Sequence, residues 1–132
     1  MSRELPPIIK EVGFDFHWDE RKVWALNIPV EVLPISELTW HLDIPFLWSQ
    51  PAGFYDLKPS TVLHHPEQYP EEYARTLEAD LQYPIDIMQK AEHWVILDGL
   101  HRLMKAALQE QVSVKVRKIP QSAVPLIQKP SS

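Results

Sequence analysis

Apolar and polar residues alternate along several short segments of the chain. The clearest alternation covers residues 112–119, which read Val-Ser-Val-Lys-Val-Arg-Lys-Ile, and a period of two predicts a strand with one buried face. Mostly apolar runs at 85–89 and 94–97 flank a polar turn and predict the two strands of a hairpin. We expect these three strands to share one sheet.

Two segments have the period of a helix. Residues 70–82 begin with Pro70, whose missing N–H is no loss in a first helical turn, and acidic residues follow it at once. The apolar positions of this segment recur every four residues, at Tyr73, Leu77 and Leu81. A second helix is predicted over 100–110, with one apolar side formed by Leu103, Met104, Ala107 and Leu108. We expect both helices to pack around the sheet.

Prolines divide the first half of the chain into short pieces. Residues 1–22 are polar and acidic with interspersed aromatics, and we interpret them as an arm packed on a single domain of residues 23–132. The segment 23–33 is rich in β-forming residues, and Pro29 favours a sheet edge or a break there. Residues 40–69 predict a long irregular loop. The order of the elements indicates an α+β fold with a small mixed sheet.

The composition is that of one folded domain and excludes several kinds of site. Of 132 residues, 45% are hydrophobic and 23% are charged. The absence of cysteine excludes disulfides, thiolate metal sites and thiol nucleophiles. Apolar runs are far shorter than the ~20 residues that span a bilayer, so we expect no membrane partner and a cytoplasmic location. The net charge of −5 disfavours broad contact with DNA.

The segment Asp98-Gly99-Leu100-His101-Arg102, between an apolar strand and a helix, predicts a phosphate-binding turn. The first N–H groups of a helix have no partner within it, and a glycine lets the backbone approach a phosphate closely. Arg102 could add a two-pronged contact, and His101 one more hydrogen bond. The same residues also fit a simple turn in which Asp98 only caps the helix.

In their order along the chain, these segments resemble the ParB/sulfiredoxin superfamily. The resemblance covers residues 23–119 and includes Val-Leu-Pro-Ile-Ser-Glu-Leu at 32–38, Tyr-Pro-Ile-Asp-Ile at 83–87 and the turn at 98–102. It implies a small mixed sheet with packed helices that binds ATP or CTP, with Mg²⁺ as the accompanying ion. The residues that fall on the family's phosphate-binding turn are Gly99, Leu100, His101 and Arg102. Leu100 stands where sulfiredoxins have a reactive cysteine, which excludes their repair chemistry.

The superfamily includes nucleotide-binding partition proteins and free-serine kinases, and the resemblance implies two candidate catalytic residues. Asp98 matches an acid that the kinases have before their glycine. Asp43 and His41 lie nearest to a further acid of the family, and Asp43 is our candidate base, with a surface acid as the alternative. ATP or CTP hydrolysis and phosphoryl transfer to a small molecule both stay open, and metal ligands are not predicted.

The sequence leaves alternatives open for two histidines, three tryptophans and the function. His64 and His65 invite a metal interpretation, but adjacent side chains of an extended segment point apart, which disfavours a shared ion. Trp40, Trp48 and Trp94 fit packing better than base stacking. The alternative function is a non-catalytic module of a partition-type system, whose turn binds DNA or a partner protein.

Overall fold

A computed structural model describes residues 6–11, 18–49, 53–90 and 92–129. Its strands are β1 (Val30–Pro34), β2 (Ile85–Lys90), β3 (His93–Asp98) and β4 (Ser113–Lys118). They form one sheet in the order β1-β4-β2-β3, in which β2 and β4 run parallel and the other neighbours antiparallel. The predicted α+β class with a mixed sheet is confirmed, and so are the three strands expected to share it.

Short helices cover both faces of the sheet. Within the described residues they are α1 (Pro7–Glu11), α2 (Glu20–Trp24), α3 (Pro59–His64), α4 (Pro70–Glu78), α5 (Leu100–Leu108) and α6 (Val124–Ile127). One face of the sheet packs on α5 through Leu103, Ala106, Ile85, Ile87 and Ile96. The other packs on α1, α2 and α6 through Ile9, Val23, Ile127, Met88 and Val95. Throughout the described ranges, every helix is too short or too polar to cross a membrane.

Helix α4 ends four residues earlier than predicted, and one of its predicted apolar positions is exposed. Leu77 is 49% exposed, whereas Glu72 and Thr76 are buried. The Thr76 hydroxyl donates to the Glu72 carbonyl oxygen and lies 3.8 Å from the Met104 sulfur of α5. Of the predicted apolar repeat, Tyr73 and Leu81 pack against buried clusters, and the expectation fails only for Leu77.

The β-rich segment 23–33 is not one strand, since Val23 and Trp24 end α2 and β1 begins only at Val30. The carboxylate of Asp19 accepts a hydrogen bond from the Arg21 N–H at 2.9 Å. This N-cap stabilises a helix over residues that favour strands. Helix α2 crosses the predicted boundary between arm and domain at residue 22, and residues 1–5 and 12–17 of that arm lie outside the described residues.

The stretch 40–69 has more regular structure than the predicted loop. A 3-10 helix covers Thr39–Asp43, Leu47 and Leu57 form a single bridge, and α3 follows. The prediction of an irregular loop was therefore wrong for residues 59–64. Pro59 stands in the first turn of α3, where its missing N–H costs nothing, so this proline starts a helix rather than breaking one.

Candidate functional site

The turn between β3 and α5 is built around Gly99. Its φ of 110° and ψ of 22° lie in the left-handed region, which glycine adopts readily. A Cβ added there would lie 3.3 Å from both Arg102 Nη1 and Ile85 Cα. Gly99 itself occupies the N-cap position, and no side chain in the described part of the chain caps the helix, so the alternative in which Asp98 is the cap was wrong.

The first turn of α5 leaves backbone donors without helical partners. Leu103 N–H is the first to bond within the helix, to the Gly99 carbonyl oxygen at 3.1 Å. The N–H groups of Leu100, His101 and Arg102 precede it and have no carbonyl to bind inside the helix. These residues line a cavity of about 720 Å³, within the range of small-molecule sites.

Among the described residues, the charged groups that line this cavity are mostly acidic. They are Glu20, Glu78, Asp80, Asp98, Arg75 and Arg102. Burial, and next the negative charge of Asp98, raise the pKa of the Glu20 carboxyl. The two carboxylates therefore lie close enough to interact, and an anion that enters the cavity meets an excess of negative charge unless a cation comes with it.

Asp98 and Arg102 are each held at the turn by further contacts. Asp98 Oδ2 accepts a hydrogen bond from Trp24 Nε1 at 2.7 Å and lies 3.7 Å from Arg102 Nη1. The same Nη1 donates to the Pro84 carbonyl oxygen at 2.9 Å, and the guanidinium carbon lies 5.7 Å from the centroid of the Tyr83 ring. The guanidinium is thus fixed beside the start of α5.

His101 is bound to α4. Its Nε2 lies 2.7 Å from Glu72 Oε2, and the Glu72 side chain is only 9% exposed. This contact occupies Nε2, so only Nδ1 of the ring is left to contact an anion. The structure thus gives His101 a link between helices that the sequence did not predict.

The 3-10 helix at Thr39–Asp43 brings His41, and not Asp43, to the cavity. His41 Nδ1 donates to the Leu38 carbonyl oxygen at 2.7 Å, and Nε2 accepts from the Ile96 N–H at 3.0 Å. Burial lowers the pKa of His41 to about 3, so the ring is neutral at ordinary pH. Both ring nitrogens of His41 are thus engaged in hydrogen bonds within the fold. Asp43 is exposed and does not line the cavity.

The remaining histidine and tryptophan candidates lie elsewhere. His64 ends α3 and both it and His65 are exposed, so the pair is not the extended segment we expected. Trp40 stacks on His41 with ring centroids 3.7 Å apart, and Trp48 packs against Phe54 at 4.8 Å. Both contacts are of the packing kind.

Sequence reasoning missed Glu72, Trp24 and Tyr83. In the sequence, Glu72 is one of two acidic residues in the first turn of a predicted helix. Trp24 and Tyr83 belong to no motif that would predict a site. Trp24 and Asp98 are 74 residues apart along the chain, and Glu72 and His101 are 29 apart. Only the fold brings them to the turn.

Comparison of the whole chain with protein-family models, with curated proteins and with solved structures gives no match. The relationship to the ParB/sulfiredoxin superfamily stays a prediction, and the site is interpreted from its own geometry.

Proposed function

We propose that the chain binds a nucleoside di- or triphosphate, ATP or CTP in the first place, with the phosphates at the start of α5. The observation that carries the proposal is the uncapped helix N-terminus at Gly99, whose residues line a cavity of about 720 Å³. The dipole of a helix adds about half a positive charge to such free N–H groups. Phosphate oxygens are the acceptors that this arrangement favours.

Arg102 supports the phosphate assignment. Its Nη1 is used by Pro84 and Asp98, whereas Nε and Nη2 have no hydrogen-bond partner among the residues that the structure describes. Its side chain is 24% exposed, so the guanidinium is partly screened from water yet reachable from the cavity. A fixed guanidinium with free donors can bind phosphate oxygens beside the backbone donors.

The acidic lining indicates that the nucleotide binds as its magnesium complex. Mg²⁺ usually takes one or two carboxylates together with phosphate oxygens and water. Asp98 and Glu20, whose charges interact, are the carboxylates suited to hold it. In the described ranges no group of three or more His, Asp or Glu side chains could hold a metal ion, so phosphate oxygens would complete the shell. The bound ion would neutralise phosphate charge.

The proposal is one of binding and not of turnover. Asp43, the candidate base, is exposed and outside the cavity lining, and both nitrogens of His41 are engaged. Asp98 already accepts from Trp24. The same acidic lining disfavours the polyanionic backbone of DNA relative to a metal-bound nucleotide.

Calorimetric titration with ATP and CTP, with and without Mg²⁺, tests the proposal. We expect binding that requires Mg²⁺ and that Arg102→Ala weakens by about 10- to 100-fold, the usual effect of a lost charge-assisted hydrogen bond. The matched control is Arg75→Ala, because this arginine lines the same cavity with 64% of its side chain exposed. Arg75→Ala should lower the nucleotide affinity less than threefold. Melting curves establish that both variants fold.

Two results would contradict this function. One is that neither nucleotide binds the folded wild-type protein at millimolar concentration with Mg²⁺ present. The other is equal weakening by the two substitutions, which would indicate diffuse attraction to the cavity rim rather than a site at the start of α5.

A further inference from the structure

A second cavity, of about 580 Å³, adjoins the first. The two cavities have Tyr83, Asp98 and Arg102 in common as lining residues. The second cavity adds Trp24 and the apolar side chain of Ile28. A ligand held at the start of α5 therefore has a connected space next to it on the sheet.

The floor of this second cavity is one row of residues across all four strands. Val30 of β1 is the register partner of Arg117 of β4, and Arg117 is the partner of Asp86 of β2. Asp86 is in turn the partner of Asp98 of β3. The row thus begins at Val30 on the edge of the sheet, continues through the ion pair of Arg117 and Asp86, and ends at Asp98, where the turn begins.

Two aromatic side chains form walls of the cavity while exposing much of their surface. Trp24 is 54% exposed and Tyr83 is 61% exposed. Trp24 is fixed through its Nε1 bond to Asp98, and Arg102 lies over the Tyr83 ring at 5.7 Å. Aromatic faces that are held in place and left open suit a planar ring as ligand, because stacking needs no further ordering of the protein.

Asp86 provides an acceptor at the floor. The residue is only 3% exposed, and its Oδ1 accepts from Arg117 Nε at 2.6 Å. Arg117 uses its other nitrogens internally, donating to the carbonyl oxygens of Leu26 and Val23 at 2.7 and 2.9 Å. Within the described part of the chain, Asp86 Oδ2 has no hydrogen-bond partner. Asp86 lines the second cavity, and a carboxylate oxygen with free acceptor capacity there suits a ligand N–H.

We propose that the second cavity holds the base of the bound nucleotide, stacked on Trp24 and Tyr83, with an exocyclic amino group donating to Asp86. This inference rests on the proposed function and names its substrate class as nucleotides of adenine, cytosine or guanine. Uracil and hypoxanthine have a carbonyl oxygen in place of the amino group of cytosine and adenine. That oxygen would face the carboxylate of Asp86 without a proton between them.

The inference is tested by the affinities for two matched pairs of nucleotides and for inorganic triphosphate, which has no base. With Mg²⁺ present, we expect CTP to bind about tenfold more tightly than UTP, and ATP about tenfold more tightly than ITP. Inorganic triphosphate should bind more weakly than CTP and ATP, by roughly the tenfold or more that one stacked base contributes. Calorimetry at constant ionic strength gives all five values.

Substitution of Trp24 separates stacking from the bond to Asp98. Trp24→Phe keeps a ring without the N–H and should retain most of the preference for CTP over triphosphate. Trp24→Leu keeps apolar bulk without a ring, and relative to Trp24→Phe, which lacks the same bond to Asp98, it should lower CTP affinity about tenfold while leaving triphosphate affinity within twofold. Melting curves check that both variants fold, which the exposure of Trp24 leads us to expect.

The possible failures are distinguishable. If triphosphate binds as tightly as every nucleotide and Trp24→Leu changes neither, the base subsite is refuted and phosphate binding at α5 stands. If UTP and ITP bind as tightly as CTP and ATP, recognition by Asp86 is refuted. If neither triphosphate nor any nucleotide binds, the proposed function itself fails.

Discussion

Acidification is expected to destabilise the protein through His41. Burial lowers the pKa of this imidazole from 6.5 to about 3 in the folded chain. In the unfolded chain the ring takes up a proton near its ordinary pKa, so the unfolded state binds more protons between these two values. The contribution of the neutral ring to the free energy of unfolding has its full value above about pH 6.5 and is lost as the pH falls toward 3.

The size of the effect follows from the difference between these two pKa values. Between pH 7 and pH 5, protonation of the unfolded His41 lowers the free energy of unfolding by about 2 kcal/mol. At this chain length that is roughly 8 °C in melting temperature. Glu20 and Asp86 act in the opposite direction, because burial raises the pKa of each carboxyl and the folded state then favours its protonated form.

A variant isolates the contribution of His41 from those carboxyls. His41→Gln keeps an acceptor for the Ile96 N–H, and we expect it to be less stable than the wild type at pH 7. Because glutamine does not titrate, its free energy of unfolding should fall by about 2 kcal/mol less than that of the wild type between pH 7 and pH 5. Urea denaturation at the two pH values measures both differences. Parallel losses in wild type and variant would refute the argument that His41 is buried in its neutral form.

Two further predictions concern the turn and the row of residues on the sheet. Gly99→Ala should lower the free energy of unfolding by about 1–2 kcal/mol, because alanine resists the left-handed φ of 110°, and an unchanged urea midpoint would contradict the turn geometry. Arg117→Met should cost about 3–5 kcal/mol at pH 7 and less in acid, because burial raises the pKa of Asp86 and the substitution removes the guanidinium that lowers it. Lys118→Met is the control. It removes a half-exposed ion pair with Glu31 and the contact of the ammonium with the Trp94 ring, and it should change stability by at most about 1 kcal/mol. Similar losses in both variants would rule out a special role for the buried pair.

The central part of the sheet was predictable because its side chains obey local burial. Strand β4 lies between β1 and β2, with Val114 and Val116 buried and Ser113 and Lys115 exposed. A strand with one face in the core shows this alternation in its sequence. The turn at Gly99 was predictable for a similar reason, since a glycine between a strand and a helix is a local signal.

The elements that sequence reasoning missed are fixed by contacts between distant parts of the chain. Trp24 ends a five-residue helix whose local sequence favours a strand, and its side chain is held by Asp98. Glu72 is buried on α4 with its carboxylate 2.7 Å from His101 Nε2, whereas Leu77 of the same helix is exposed. No pattern within a single helix or strand contains these pairings.

The structural contacts of the turn also determine what its substitutions can show. Asp98 is bound to α2 through Trp24, His101 to α4 through Glu72, and Arg102 to the chain before β2 through Pro84. A loss of binding in any of these variants therefore combines a lost ligand contact with a loosened element. The backbone N–H groups of the first turn of α5 are free of this ambiguity, because they have no helical partner to lose. Gly99→Ala keeps all three side chains and shifts these donors, and its Cβ also lies 3.3 Å from Arg102 Nη1, so it perturbs the backbone donors and the guanidinium of the anion site together. Its nucleotide affinity, measured by calorimetry, should therefore fall by more than its loss of stability predicts.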